Sequence, residues 1–291
     1  MDWQDHLIEL YCSVCEATFK SESHKNLRGS NNWKPKFTDE EVLTTLYYGI
    51  QLGLSSLKAI HTLLSTSMRS WFPEIPDYKQ FSRRVGNLHS VMADHVECLS
   101  SLSEWNGELG FLMDSMPIVS AKRNKDKKRN IDAVCSFGYC ASKKMHYYGV
   151  KLHMIAERSL SGLPRPNFAS ISGANEHDLS HFKLLDSTVA ECEIYADKAY
   201  CHQSYQNDIA LEKGVLIATP IKKMKGKENS SWIEAHNKFI SHIRQPIESL
   251  FADLAKKTDI QRAYKVRSVK GLLAHIYGRL AAYMFTRRVA A

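Results

Sequence analysis

Residues 110–117 of the chain read GFLMDSMP, an apolar run that ends at an acidic residue, Asp114. Residues 194–200 read IYADKAY and repeat the arrangement, with the acid at Asp197. Short apolar runs of this kind predict buried strands, each ending at its aspartate. A third acid, Glu248, lies in a stretch with a helical pattern. Carboxylates delivered by two strand ends and a helix suit Mg²⁺ or Mn²⁺, so these three residues are candidate metal ligands.

The chain beyond residue 105 has the pattern of a mixed sheet flanked by helices. Six apolar or alternating runs predict strands, at residues 109–113, 133–139, 147–156, 168–172, 193–196 and 215–220. Helical patterns lie at residues 179–189 and 203–213, and long helices follow a lysine-rich loop at residues 222–227. This succession indicates an α/β domain with a mixed α+β sheet, as in the ribonuclease H-like fold. In that architecture the strands of Asp114 and Asp197 are neighbours, so we expect the two carboxylates to meet.

Residues 2–103 show helical periodicity instead. Apolar residues recur at helical spacing from Leu7 to Val14. Thr38 followed by Glu41 predicts a capping box at the start of another helix. The N-terminal region is therefore expected to be helical throughout.

The last helix of this region carries Arg83 and Arg84 away from its apolar face. Short helices joined by tight turns, the last one basic, favour a DNA-binding module that uses these two arginines. A helical packing or dimerisation domain is the alternative. We expect an all-helical N-terminal DNA-binding domain at residues 1–105 and a catalytic domain at residues 106–291.

Composition restricts the function further. The 291 residues carry a formal net charge of +8, and the pI is near 9.0, which favours a polyanionic partner. No uninterrupted apolar stretch approaches the roughly 18 residues of a membrane helix, and the acidic start lacks a secretion leader. Seven scattered cysteines favour reduced thiols in a cytosol over a disulfide framework, and the lone Cys12-x-x-Cys15 has no second pair at zinc spacing. Neither a nucleophile elbow nor a P-loop motif is present, which disfavours a serine hydrolase and a nucleotide-driven motor.

Four motifs of the second domain occur in a characteristic order. They are Asp114–Pro117, the hairpin and strand at residues 143–153, Asp197–Tyr200, and residues 244–251. Together they resemble the DDE transposases of bacterial insertion sequences, which are compact ribonuclease H-like enzymes, over roughly residues 106–285. Three positions depart from the family pattern: Ala199 replaces a usual Gly, and Ser241 and Ala255 replace a frequent Tyr and Lys.

The resemblance implies a function. A DNA transposase is the endonuclease of a transposable element: it cuts the element ends and joins them to target DNA, a form of DNA recombination. The resemblance implies that Asp114, Asp197 and Glu248 are catalytic and hold two ions of Mg²⁺ or Mn²⁺. A nuclease of the same fold that joins no strands and an inactive DNA-binding regulator are the alternatives. The intact acidic triad argues against the regulator, and a strand-transfer assay separates the other two.

Partners and location follow from the same resemblance. The expected partner is double-stranded DNA, both element ends and target, bound by a homodimer because two ends must be brought together. No membrane partner is expected. The expected location is the bacterial cytosol, in association with the nucleoid.

Several residues around the acids are candidate DNA contacts. They are Lys151, His153, Lys198, Tyr200, Arg244, Lys256 and Arg123. Lys198 directly follows the second aspartate, and Lys256 is adjacent to the substituted Ala255. Lys151 and His153 alternate with apolar neighbours, which predicts that both lie on the face away from the core. Arg123 belongs to a charge run that we interpret as a solvated loop until DNA is bound.

Two other positions have alternative interpretations. Arg244 lies one helical turn before Glu248, where it could brace the carboxylate or bind a phosphate; a simple intrahelical salt bridge is the alternative. His177 and Asp178 precede a helix that starts at Leu179. An accessory metal contact is one interpretation, and an Asp cap on that helix is the favoured one.

Overall fold

The computed structural model describes residues 2–27, 35–101, 109–122, 129–141, 143–185, 189–222 and 230–289. The chain forms two compact units. The first consists of Met1–Ser103, Lys128–Ala133 and Leu254–Ala291, and the second of Glu104–Lys127 and Val134–Asp253. We call them the helical unit and the sheet unit. None of the described helices is long and apolar enough to cross a membrane.

Several of the described helices have recognisable start signals. In chain order they are α1 (Trp3–Lys20), α2 (Glu22–Leu27), α3 (Asp39–Gln51), α4 (Leu57–Ser67), α5 (Tyr78–Asn87), α6 (His89–Ser101), α7 (Asp178–Leu185), α8 (Gln203–Lys213), α9 (Ser231–Thr258) and α10 (Val269–Val289). The capping box at the start of α3 is present: the Thr38 hydroxyl accepts from the Glu41 amide at 3.2 Å, and the Glu41 carboxylate accepts from the Thr38 amide at 2.5 Å. Where one helix bearing Arg83 and Arg84 was expected, α5 and α6 are separate helices, divided at Leu88.

The C-terminal helix belongs to the helical unit. α10 packs against α3 and α6. The buried rings of Tyr47 and Phe285 lie 5.4 Å apart, and His95 meets Phe285 edge-on at 5.9 Å. The Gln51 amide also donates to the Ala282 carbonyl at 3.0 Å. The core of the N-terminal helices is therefore completed by residues far beyond the expected boundary at residue 105. The assignment of separate functions to residues 1–105 and 106–291 remains a prediction.

The sheet unit contains a curled mixed sheet. Its strands are β1 (Phe111–Ala121), β2 (Ser136–Cys140), β3 (Met145–Glu157), β4 (Arg165–Gly173), β5 (Glu193–Ala196) and β6 (Leu216–Ala218). The order is β2-β3-β1-β5-β6, and β4 also pairs with β3. β3 is antiparallel to β1, β2 and β4, whereas β5 is parallel to β1 and β6. The expected fold class, a mixed α/β sheet preceded by a helical region, is confirmed.

One face of this sheet is covered by α7 and α8. Phe111 and Met113 of β1 are buried in a cluster with Phe182 of α7 and Ile209 of α8. Burial of large apolar side chains is worth roughly 1.5–3 kcal/mol each, so this layer fixes the parallel strands in place. The same layer also covers His153 of β3, which is therefore buried.

The strand that carries Asp114 is longer than expected. The sequence predicted an end at Asp114, but β1 continues to Ala121 because β3 stays paired with it over that length. β5 pairs with Phe111–Met113, and among the described residues no strand pairs with that side of β1 beyond Met113. Pro117 has no backbone N–H to donate to a neighbouring strand. It is tolerated at this position because one side of β1 is unpaired there in the described part of the chain.

Candidate active site

Strand pairing brings the two aspartates together. In the parallel pair β1 and β5, Met113 lies opposite Ala196. The residue after each of these two is an aspartate, Asp114 or Asp197, so both acids lie at the same edge of the sheet. Asp197 ends β5 and caps a short 3₁₀ helix, where its carboxylate accepts from the Lys198 amide at 2.5 Å. The Asp114 carboxylate accepts from the Ser115 amide at 2.8 Å.

Arg244 connects the third acid to this pair. One guanidinium nitrogen donates to Asp114 at 2.7 Å, and the other donates to Glu248 at 2.9 Å. The arginine side chain is 15% exposed, whereas that of Glu248 is 60% exposed. The intrahelical contact between Arg244 and Glu248 is thus present, and Arg244 also binds Asp114, a contact that the sequence did not predict.

The environment of Asp114 disfavours its negative charge. The pKa of its carboxyl is raised to about 6, mainly by burial and also by the nearby Asp197. The Arg244 guanidinium and the Ser115 amide act in the opposite direction without cancelling the effect of burial. An ionised Asp114 next to Asp197 therefore needs more positive charge than Arg244 alone supplies.

These residues fit a divalent ion by donor type. All three side chains offer carboxylate oxygens, the ligands that Mg²⁺ and Mn²⁺ prefer, and the charge imbalance at Asp114 favours a cation. Among the described residues, however, no three His, Cys, Asp or Glu side chains are already arranged around one point as a metal site. In this arrangement Arg244 lies between two of the acids and provides their counter-charge.

A second ion-paired cluster adjoins the first through Ser115. The Ser115 hydroxyl donates to Asp178 at 3.2 Å. The Lys151 ammonium donates to the other Asp178 oxygen at 2.8 Å and to the Glu176 carbonyl at 2.7 Å. Lys151, an expected DNA contact on an open face, is instead neutralised beside α7. At the start of α7 the Leu179 amide donates to the His177 ring at 3.3 Å, so the histidine makes the capping contact expected of Asp178.

His153 is buried, in contrast to the expectation that it lies away from the core. Its side chain is hydrogen-bonded to the Ser172 hydroxyl at 2.7 Å and stacks on His181 at 4.1 Å. Burial, followed by the neighbouring His181, lowers the pKa of His153 to about 3, so the ring is neutral. The alternation along β3 was correctly identified, but α7 covers that face of the sheet. A DNA contact by His153 does not fit this position.

The two candidates after Asp197 have different surroundings. Lys198 is exposed, as a DNA contact requires. Tyr200 is buried, and its hydroxyl has no hydrogen-bond partner within the described part of the chain. Burial raises the pKa of Tyr200 well above its usual value, with Asp178 as the next cause. Tyr200 is therefore a core residue beside the acids and not a surface contact.

The remaining candidates lie elsewhere. Lys256 is exposed near the end of α9, and Arg83 is exposed on α5. Arg84 is bound within the helical unit: it donates to the Phe37 carbonyl and forms an ion pair with buried Asp39 at 2.7 Å. Its guanidinium is used internally and is not free for DNA. Arg123 lies outside the described residues.

The sequence interpretation assigned no site role to Ser115 or Glu176 and favoured only a cap for Asp178. All three are connected to the acidic site through the contacts described above. One signal was present, because Ser115 follows Asp114 directly and so lies on the opposite face of the same strand. The covering position of α7, which brings Asp178 to that face, has no comparable sequence signal.

Comparison with protein families gives one match. The family described as "Transposase DDE domain" matches residues 105–285, which is more than half of the chain and includes Asp114, Asp197 and Glu248. Comparisons with curated proteins and with solved structures gave no match.

Proposed function

The chain belongs to the transposase DDE domain family, and from this premise we propose that it is a DNA transposase. Family membership supports a transposase- or nuclease-type function. The finer proposal is that the chain cuts insertion-sequence ends and joins them to target DNA by two-metal-ion phosphoryl transfer. The observation that carries it is the convergence of three acids: Asp114 beside Asp197 through strand pairing, and Asp114 linked to Glu248 through Arg244.

Each acid has a proposed role in holding the metal ions. Asp114, Asp197 and Glu248 would hold two ions of Mg²⁺ or Mn²⁺. Bound there, the ions would activate an attacking water or 3′-hydroxyl and stabilise the leaving oxygen of the phosphodiester. Asp114 must be ionised for this role, and its raised pKa makes its ionisation sensitive to neighbouring charge.

Arg244 and Lys198 have proposed roles as cations. Arg244 neutralises two acids in the absence of other cations, and once it is released from them its planar guanidinium suits a DNA phosphate. Lys198 is exposed beside Asp197 and would contact the backbone near the scissile bond. Lys256 is a proposed contact further along DNA.

The wider context is also proposed. Double-stranded DNA, as element ends and as target, fits the net charge of +8. A homodimer on DNA would hold two ends at once. The bacterial cytosol, in association with the nucleoid, is the corresponding location.

A joining assay tests the proposal. The full-length protein is incubated with Mg²⁺, a supercoiled target plasmid, and a duplex that carries the DNA flanking this reading frame with a pre-cleaved 3′ end. We expect joined products with the wild type and none with Asp114→Asn. The matched control is Asp208→Asn, an exposed acid of the same unit, which should join as the wild type does.

The outcomes separate the alternatives. Cleavage of an intact flanking duplex without any joining of the pre-cleaved end would identify a nuclease of the same fold. Binding without cleavage or joining would identify a regulator. Joining that survives Asp114→Asn would overturn the assignment of the acidic site.

A further inference from the structure

A cavity of about 810 Å³ opens in the helical unit between α4, α5 and the start of α10. None of its described lining residues is Asp or Glu, and seven are Lys or Arg: Lys58, Lys79, Arg83, Lys265, Arg267, Lys270 and Arg279. All of these except Arg279 are exposed. We call this site the cationic groove.

The exposed cations of the cationic groove are not neutralised by the protein. In the part of the chain that the structure describes, none of the six has an acidic partner, and the polar contact seen is a weak one from Lys270 to the Asn87 side chain at 3.4 Å. Some cations elsewhere in the helical unit are paired, as Arg84 is with Asp39 and Arg288 with Glu16. A set of like charges repels itself, and an anionic ligand would relieve that repulsion.

Arg279 adds a buried donor to the groove. Its side chain is 7% exposed, and one terminal nitrogen donates to the Ser55 carbonyl at 2.8 Å. Its Nε has no hydrogen-bond partner within the described residues. Burial lowers the pKa of Arg279 to about 10, against the opposing effect of Asp259, so the group is charged at neutral pH. A buried unpaired N–H is costly, and the positive charge of Arg279 adds to that of the exposed cations around the groove.

Two helix N-termini contribute to the same wall. Ser56 caps α4, and its hydroxyl accepts from the Ala59 amide at 3.2 Å. Ser268 precedes α10, and its hydroxyl accepts from the Gly271 amide at 3.1 Å. Both serines line the groove. Helix N-termini carry partial positive charge and favour phosphate, in agreement with the side chains around them.

We propose that the cationic groove binds the phosphodiester backbone of duplex DNA and that segments from both ends of the chain form it. The inference rests on the proposed function, which makes DNA a partner. Six exposed cations around one groove exceed the charge of any single nucleotide, whereas a DNA strand presents phosphates in series. The residues at 265–270 then contact DNA together with Arg83, so the binding surface is not confined to the N-terminal helices.

A charge-matched pair of variants tests the groove. The groove variant combines Arg83→Gln and Lys270→Gln in the full-length protein. The control variant combines Lys20→Gln and Arg69→Gln, two exposed cations of the same unit that lie outside the groove and have no acidic partner in the described chain. Both variants lose two positive charges, so a difference between them reports position and not net charge. Equal melting temperatures would show that both are folded.

Binding is measured by fluorescence anisotropy against salt concentration. The probes are the flanking duplex, an unrelated duplex, a mononucleotide and polyglutamate. For the groove variant we expect at least about tenfold weaker binding to both duplexes, and a slope of log affinity against log salt that is smaller by roughly one per charge removed. The control variant should bind nearly as the wild type does.

Several results would overturn the proposal that the cationic groove binds DNA. One is equal DNA binding by the two variants while the wild type cleaves and joins; this outcome leaves the proposed function intact. Another is selective loss of mononucleotide or polyglutamate binding with DNA binding unchanged. A wild type that binds no DNA at all would overturn both proposals, which distinguishes that failure from the first.

Discussion

The acidic site of the sheet unit and the cationic groove of the helical unit differ in whether their cations have acidic partners within the protein. In the acidic site several charges have internal partners: Arg244 is shared by Asp114 and Glu248, and Lys151 is held by Asp178. In the groove, six exposed cations have no acidic partner within the described chain. The positive charges of the first region are balanced within the protein, and its acids still favour a further cation. The positive charges of the second region are balanced only when an anion binds.

This difference explains why net charge alone is a poor guide to binding residues. Lys151, Arg84 and Arg244 contribute to the charge of +8, but each is neutralised inside its own unit. Cations that attract DNA are those whose field is not cancelled nearby. Replacing residues in each region therefore has different consequences, and the four experiments below follow from the largest effect to the smallest.

Replacing the acids should cause the largest loss. Asp114→Asn, Asp197→Asn and Glu248→Gln should each reduce cleavage by at least roughly 10³-fold, about 4 kcal/mol, because each removes a charged ligand for the metal ions. DNA affinity should change by less than about threefold, because the groove carries the binding. Cleavage rate and affinity are measured on the same preparations, with Asp208→Asn as the control. A variant that keeps near-native cleavage in Mg²⁺ would show that its acid is not a ligand.

Removing one buried ring should weaken the helical unit that forms the groove. Phe285→Ala should lower the free energy of unfolding by roughly 3–5 kcal/mol, because the fully buried ring packs on Tyr47 and His95. The measurement is urea unfolding followed by circular dichroism. Phe19→Ala, which removes an 82% exposed ring from α1, should cost less than about 0.5 kcal/mol. Equal effects of the two changes would mean that α10 is not part of this core.

Local signals were sufficient for some elements. β5 and α8 have the bounds expected from the sequence, Glu193–Ala196 and Gln203–Lys213. Asp197 marks the end of the strand by capping the turn that follows. Gly214 marks the end of the helix, with a φ of +64° that glycine adopts without strain. Adjacent residues supply both signals, so a single sequence is enough to locate them.

Long-range packing decided what the sequence could not show. The end of β1 depends on its partner β3, the burial of His153 depends on α7, and the place of α10 depends on α3 and α6. The convergence of Asp114 and Asp197 is also a long-range feature. It was predicted only because the expected fold makes their strands neighbours. The position of Arg244 between two acids had no such guide, because i,i+4 spacing indicates a partner in Glu248 but not in Asp114.

The stability of the acidic site should depend on pH in a defined direction. The carboxyl of Asp114 has a usual pKa of 3.8 and a pKa of about 6 in the folded chain. The unfolded chain therefore releases this proton first, and the folded state loses stability as the pH rises through that window. In EDTA, Asp114→Asn should be more stable than the wild type by roughly 1–3 kcal/mol at pH 8, because the amide carries no buried charge.

Melting temperatures between pH 5 and 8 measure this difference. The advantage of Asp114→Asn should shrink as the pH falls below 6, and Mg²⁺ should stabilise the wild type more than the variant. Asp208→Asn, at an exposed position, should show neither effect. A wild type that gains stability over Asp114→Asn as the pH rises in EDTA would show that Arg244 outweighs burial.

Lys198→Ala should have the smallest effect, and it tests whether the exposed cation beside the acids contacts DNA. Lys198 is an exposed cation next to the acids, so it resembles the groove in its exposure and the acidic site in its position. One solvent-exposed phosphate contact is worth about 1 kcal/mol, so cleavage should fall by roughly three- to tenfold and the salt slope should decrease by about one. The measurement is cleavage rate against potassium concentration, with Lys238→Gln, an exposed cation of α9, as the control. Because Asp197 already accepts from the Lys198 amide, the backbone turn is held independently of the side chain and should survive the change. Parallel salt dependences of equal height for the wild type and Lys198→Ala would mean that the ammonium does not contact DNA, and that the backbone near the scissile bond is held by other cations.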